Sequence, residues 1–422
     1  MTGTALSLAR VEFAVTACVH FLFAALTLGL LPVIAVFQTR WVATGKPVFE
    51  RLTQFWGNIY VINYAVGIAT GLVMEFQFGL NWSGLTGFAG NVFGAPMALE
   101  TILAFFAEST LLGLWILGWG RLPAKLHLAV IWLITVAAYV SAFWVMLANG
   151  FLQHPVGYVI RGGAVVLTDW AALLTNPGAL YGLAHLLAGA LATGGFVVAG
   201  ISAYHWVRGT TEREFFDRSL FTGLAVAAGG SVLTIVLGLP QFDYLAADQP
   251  AKLATITGND RALGAADAAM RAAHGPGDYA PPSIVGPLAI GMIVLGIVLA
   301  VVAVAALFFR TSLLRSRLAL RVLIGTIPVP FVALIAGWLV RELGRQPWAV
   351  YGVERTSAAG GPVGAGMVLV SLVLFTGVYL VLAVVDYRLI AGAARRGPQP
   401  GVFGGPTAGP ATHAEPALRT GE

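Results

Sequence analysis

The chain has 422 residues, of which 58% are hydrophobic and 10% charged, with a net charge of +5 and a mean hydropathy of +0.83. An ordinary soluble domain carries about 25% charged residues, so that class is excluded, and Cys18, the single cysteine, excludes a disulfide framework and a thiolate metal site. In so apolar a chain the basic excess reads as a topology signal rather than a nucleic-acid footprint.

Spanning the hydrocarbon takes roughly 20 apolar residues per helix. The first such stretch, 13–37, follows Arg10 and Glu12 and carries His20; no convincing cleavage site follows it, so it is expected to be retained. Spans at 55–78 and 95–118 come next. The third holds Glu100 and Glu108, which on an ideal helix stand about 80° apart around the axis and about 12 Å apart along it. With Ser109, and Ser141 on the fourth span (126–149), these carboxylates suggest a proton relay. His127, just after Lys125, reads as interfacial.

A connection at 150–177 leads to a fifth span at 178–206, which contains His185, and a sixth at 218–240. Residues 241–283 are polar, Ala-rich and punctuated by Pro and Gly, as in a folded or mobile flap; Lys252 lies here. Spans at 284–309, with Met292, at 319–341 and at 367–390 complete the series. The eighth ends in Arg341, Glu342, Arg345 and Trp348, a set that alone reads as an interfacial anchor.

The expected fold is therefore an all-α integral membrane protein, a bundle of about nine transmembrane helices over 1–396 with a disordered tail at 397–422. An N-terminus outside and a C-terminus inside would put sixteen of the 24 Lys and Arg residues on the inner side, as the positive-inside rule requires. In that orientation His20, His185, Met292, Glu100 and Glu342 share one layer, roughly 8–12 Å below the outer surface by helical rise. Ionisable groups in hydrocarbon are functional by default, and imidazole and thioether bind haem iron axially within bundles. Hydrogen bonding between helices, or simple packing, is the alternative for each residue taken alone. A proton-coupled transporter is the alternative for the set, although the internal repeats common in transporters are not evident.

The order of motifs resembles one family. Ala14–Phe23 around His20, Gly71–Gly79, the Glu100/Glu108 segment, Ala148-Asn149-Gly150 and Gly344-Arg345-Gln346-Pro347-Trp348 are similar to subunit I of cytochrome bd oxidase, a bacterial terminal oxidase of the plasma membrane that reduces dioxygen, usually with quinol. The resemblance implies that His20 and Glu342 serve haems b595 and d, and that His185 and Met292 ligate haem b558. It further implies that Arg10 and Arg345 neutralise propionates, that Trp338 packs between haems with Trp348 nearby in the signature, and that Glu100, Glu108 and Ser141 form the proton route. A second multi-helix subunit and a short single-helix subunit are the implied partners, with Lys252 at the quinol site. Three positions depart from the pattern: Ile290 replaces an arginine two residues before Met292, Thr257 replaces a glutamate of the flap, and Arg341 has no counterpart. A donor other than quinol is the alternative these departures leave open.

Overall fold

The computed structural model describes residues 1–399 and Phe403; the remainder of the expected tail lies outside the described residues. Among them, nine helical segments are long and apolar enough to cross a membrane, as expected. The first two are α1 (Gly3–Thr44) and α2 (Pro47–Leu80), separated by a turn in which Gly45 takes the left-handed conformation at φ 65°. The third crossing is divided: α3 (Ser83–Leu99) passes into a π-helical segment, Glu100–Phe105, and then α4 (Phe106–Leu117). The fourth is α5 (Ala124–Gln153).

The connection after α5 forms a hairpin, β1 (Tyr158–Arg161) with β2 (Ala164–Leu167), and a short α6 (Trp170–Leu174) capped by Asp169. Helices α7 (Pro177–Val207) and α8 (Arg213–Gly238) then make the most extensive helix pair. The expected flap is folded into α9 (Pro240–Asp248), α10 (Pro250–Thr257) and α11 (Asp260–His274). The seventh crossing is α12 (Val285–Phe308), followed by the short α13 (Arg310–Arg315).

The eighth crossing is broken in two, α14 (Arg317–Gly325) and α15 (Val329–Leu343), with Pro328 at the break, where a proline lacks the N–H a continuous helix needs. A small ladder of β3 (Trp348–Val350) and β4 (Glu354–Arg355), the short α16 (Thr356–Ala359) and the long α17 (Ala365–Arg396) complete the chain.

The main core joins α1, α2, α5, α7 and α8 around Trp56, Tyr60, Phe37 and Phe216, and a second cluster packs Phe196 of α7 against α8, α12 and α14. Where α7 meets its neighbours, glycine allows backbones to touch. A Cβ on Gly29 would lie 2.1 Å from the Ala190 carbonyl oxygen, and one on Gly195 would lie 2.3 Å from the Ala227 nitrogen. Such small-residue seams are how helices associate where water supplies no hydrophobic drive. By contrast α12 and α17 expose large apolar side chains, including Val301, Val304, Met367, Val370 and Val373, as expected of faces turned to lipid or to another apolar subunit.

Candidate functional site

A cavity of about 410 Å³ opens between α1, α2, the third crossing, α5 and α15. It is walled by Arg10, His20, Glu100, Glu108, Ser141, Trp338, Glu342 and Arg345, eight of the residues singled out in the sequence. They come from the interior of α1, α5 and α15 as well as from the irregular third crossing and the turn after α15.

His20 is fixed by a hydrogen bond between its Nδ1 and Thr70 Oγ1 at 3.0 Å, which leaves Nε2 for the cavity. Thr70 is itself held by the Val66 and Gly67 carbonyls, so the imidazole is oriented by a partner that is anchored in turn. Gly71 keeps this wall open, since a Cβ there would lie 3.2 Å from His20 Cε1. Beside His20, Phe21 and Trp338 pack ring against ring at 5.5 Å.

Both carboxylates of the third crossing reach the cavity. The ideal 80° offset does not apply to them, because the π-helical segment intervenes; such bulges recur at functional sites because they re-aim side chains. Glu100 accepts from Ser141 Oγ at 2.6 Å and from Thr101 Oγ1 at 3.2 Å, and Thr101 also donates to Glu75 at 2.8 Å. Glu108, deeper, accepts from Tyr60 at 3.2 Å, and Ser109 pairs with the Tyr64 hydroxyl at 3.0 Å. The expected pair is thus embedded in a network of hydroxyls, and Glu75 joins Glu100, Glu108 and Glu342 as a fourth carboxylate on the cavity wall.

Glu342 is held at both oxygens: Asn149 donates to Oε1 at 2.7 Å and Arg345 Nη2 to Oε2 at 2.9 Å. Arg345 is 8% exposed, yet its Nε and Nη1 are buried without a partner. Unsatisfied buried donors are costly, and two on one guanidinium beside a cavity call for an anionic acceptor. Arg341 is no headgroup anchor. It is half-buried, with Nε donating to Asn149 at 2.5 Å and Nη2 to the Gly178 carbonyl at 3.1 Å.

His185 and Met292 lie outside this cavity wall. His185 Nδ1 is bonded to the Thr234 carbonyl at 2.9 Å, again freeing Nε2, and a Cβ on Gly238 would come within 3.2 Å of its ring. Met292 Sδ packs over Gly337, where a Cβ would lie 2.7 Å away. The single layer of the sequence reading is divided: His20, Glu100 and Glu342 share a wall, while His185 faces α8 and Met292 faces α15.

Trp348 is buried away from the cavity wall, stacked on Tyr279 at 5.6 Å and edge-on to His274 at 4.9 Å, with the Arg355 guanidinium over both rings. Lys252 is 4% exposed and donates to the Arg341 carbonyl at 2.9 Å and to Gln153 at 3.4 Å. Burial pushes its ammonium down to about 7, with Arg341 acting in the same direction and Glu342 against it. Thr257 is exposed and its hydroxyl turns back to the Leu253 carbonyl. His127, near the start of α5, is buried among its neighbours: it bonds Gln38 at 3.0 Å and the Trp115 carbonyl at 2.8 Å.

Sequence reasoning assigned no role to Thr70, Glu75, Asn149 or Gln153. Glu75 and Asn149 lie within quoted motifs, and a polar residue in an apolar span was the signal available for Thr70, Glu75 and Asn149; Gln153 falls in the expected connection, where a polar residue carries no such signal.

The site fits haem. It offers imidazoles with one nitrogen tethered and the other free, glycines where a flat macrocycle needs room, and an arginine with donors to spare for a propionate. A multi-pass helical bundle with such residues is of the kind that holds haem within a membrane. The comparisons narrow the class: residues 8–275 and 275–398 match the family described as cytochrome bd terminal oxidase subunit I. Cytochrome bd ubiquinol oxidase subunit 1 of Bacillus subtilis is 35% identical, over 89% of this chain and 91% of its own. Cytochrome bd-II ubiquinol oxidase subunit 1 of Escherichia coli is 30% identical, over 93% and 97%. The bd oxidase structure from Geobacillus thermodenitrificans superposes with a TM-score of 0.85 at 26% identity, covering 94% of this chain and 100% of that one. The chain belongs to the cytochrome bd terminal oxidase subunit I family. Family membership implies haem cofactors and a partner subunit II.

Proposed function

We propose that this subunit carries three haems and oxidises quinol while reducing dioxygen to water, with protons drawn from the cytoplasmic side. In this reading His185 and Met292 hold haem b558, and His20 and Glu342 serve haems b595 and d. A second multi-helix subunit and a short single-helix one complete the complex, and the excess of basic residues at the Thr44 end of α1 supports an N-terminus outside. When bound, the haems supply electron transfer and the iron at which dioxygen is reduced.

The chain's own residues supply position and protons. Thr70 and the Thr234 carbonyl orient His20 and His185 through Nδ1. Asn149 and Arg345 hold the Glu342 carboxylate from both sides, so its oxygens are fixed before any ligand arrives. The spare Arg345 N–H groups would donate charge-assisted hydrogen bonds to propionate oxygens. Glu108, with Tyr60, passes a proton to Glu100; from there Ser141, Thr101 and Glu75 spread the hydrogen-bonded network along the cavity. Trp338 and Phe21 fill apolar space near His20 and exclude water there. At the flap, Lys252 offers an amine that titrates near neutrality to the hydroxyl of a quinol.

The observation that carries the reading is one cavity wall holding His20, Glu100, Glu108, Glu342 and the incompletely bonded Arg345. A reduced-minus-oxidised spectrum of the purified complex should show b-type bands and a chlorin band, and quinol should drive oxygen consumption. A complex without bound haem would overturn the reading; haem-replete complex that ignores quinol would leave the fold and replace the donor.

A further inference from the structure

The network beside Glu342 holds more positive than negative charge. Arg341, Arg345 and Lys252 are joined through Asn149, Gln153 and the Arg341 carbonyl, and among the described residues Glu342 is the carboxylate bonded within it. The cations face different ways. Arg345 turns to Glu342. Arg341 turns from it toward α7, donating to Asn149 and to the Gly178 carbonyl, and a Cβ on Gly182 would lie 2.7 Å from its Nη1.

Gly182 is one helical turn before His185 on α7. A guanidinium stays charged at any working pH, and within a bundle its field is only weakly screened. On α15, Gly337, over which Met292 Sδ packs, stands one helical turn before Arg341, so Arg341 lies within a turn of the position Met292 touches and its guanidinium meets α7 within a turn of His185.

We propose that Arg341, seated against Gly178 and Gly182 of α7, is the fixed positive charge that tunes the His185–Met292 centre. This rests on the reading of His185 and Met292 as the ligands of the low-spin haem. Reduction adds an electron, so a neighbouring cation stabilises the reduced form and raises the midpoint potential. Electrons from the donor are then accepted more readily.

The test is a spectroelectrochemical titration of the intact purified oxidase: native, Arg341→Lys, Arg341→Gln and Gly182→Ala. In Arg341→Gln the reduced-to-oxidised ratio of the low-spin band at fixed potential should fall about tenfold, equivalent to about 59 mV for one electron. Arg341→Lys, which keeps the charge, should hold most of the native potential, and the high-spin bands should move less than the low-spin band. Gly182→Ala displaces the guanidinium without removing it, and should shift the low-spin band in the same direction by less. An unchanged low-spin midpoint in a haem-replete Arg341→Gln protein, or a shift confined to the high-spin bands, overturns the proposal. Should Arg341→Gln fail to assemble, an unshifted midpoint in Gly182→Ala overturns it equally. A native complex with no low-spin b-type band overturns the ligand reading itself, a different result from a haem that is present but indifferent to Arg341.

Discussion

The seam around α7 and the cavity beside α1 are built from the same apolar alphabet with opposite results. At the seam, glycines bring backbones into contact: Gly29 and Gly194 face each other, Gly195 meets Ala227, and Gly230 meets Ala192. At the cavity, aromatic and carboxylate side chains stand on a π-helical segment and helix ends, and the helices stay apart. Small residues close helices and fix one geometry; polar residues at helix irregularities hold them open. The bundle can therefore be rigid on the side that carries His185 and roomy on the side that carries Glu342.

Glu342→Ala should separate the two regions most sharply. It removes the carboxylate that Asn149 and Arg345 hold and leaves the α7 seam untouched. Quinol-driven oxygen consumption should fall on the order of 100-fold, the upper end of what changes around metal ligands produce, while the low-spin band is retained. Equal rates in the native and variant complexes would remove Glu342 from the reaction.

Gly195→Val attacks the other region. Its Cβ would stand 2.3 Å from the Ala227 nitrogen, so α7 and α8 must part. Overpacking of this kind costs about 1–3 kcal/mol, and the low-spin haem should be lost together with thermal stability. Gly113→Ala is the control: on α4 nothing lies within 4 Å of the added Cβ, and the change should be neutral or stabilising by about 0.5 kcal/mol. If both substitutions destabilise equally, close backbone approach is not what distinguishes the seam.

Glu108→Gln should act on the cavity more mildly. The amide keeps the shape and can still bond Tyr60, but it cannot release a proton. Turnover should drop about tenfold, with the haem spectrum unchanged. Loss of the spectrum would make Glu108 a structural group rather than a proton carrier.

The crossings were legible because hydropathy needs only composition over a window: each of the nine expected spans lies within a helical crossing to within a residue at its ends, the eighth being interrupted at 326–328. His20, Glu100 and Glu342 were legible because a polar residue in an apolar run has few reasons to be there. What stayed hidden depends on backbone path. A π-helical turn leaves no composition signature, so the helical-wheel angle between Glu100 and Glu108 could not be read correctly. Arg341 sits at the end of a span, where charge counting treats every arginine as interfacial, and only the approach of α5 and α7 gives its guanidinium partners inside the protein. Pro250 and Gly258 mark the flap in the sequence without saying whether it is folded or mobile; in the structure the proline starts a helix and the glycine caps it.

The flap offers the finest test of how the two regions communicate, because Lys252 lies 2.9 Å from the Arg341 carbonyl and so touches the junction between them. Held down to about 7 by burial and by Arg341, the amine is charged below that pH and neutral above it. A neutral amine can accept the proton that a quinol hydroxyl releases, whereas an ammonium cannot. The kcat/KM for quinol should therefore rise several-fold between about pH 6 and about pH 8, and Lys252→Met should lower the plateau and flatten the rise. Glu354, which burial pushes up to about 7, would give an inflection at the same pH. It is bonded to neither Gln153 nor Arg341 among the described residues, so Glu354→Gln should leave the inflection in place. A profile that survives Lys252→Met and vanishes with Glu354→Gln would move the proton acceptor from the flap to β4.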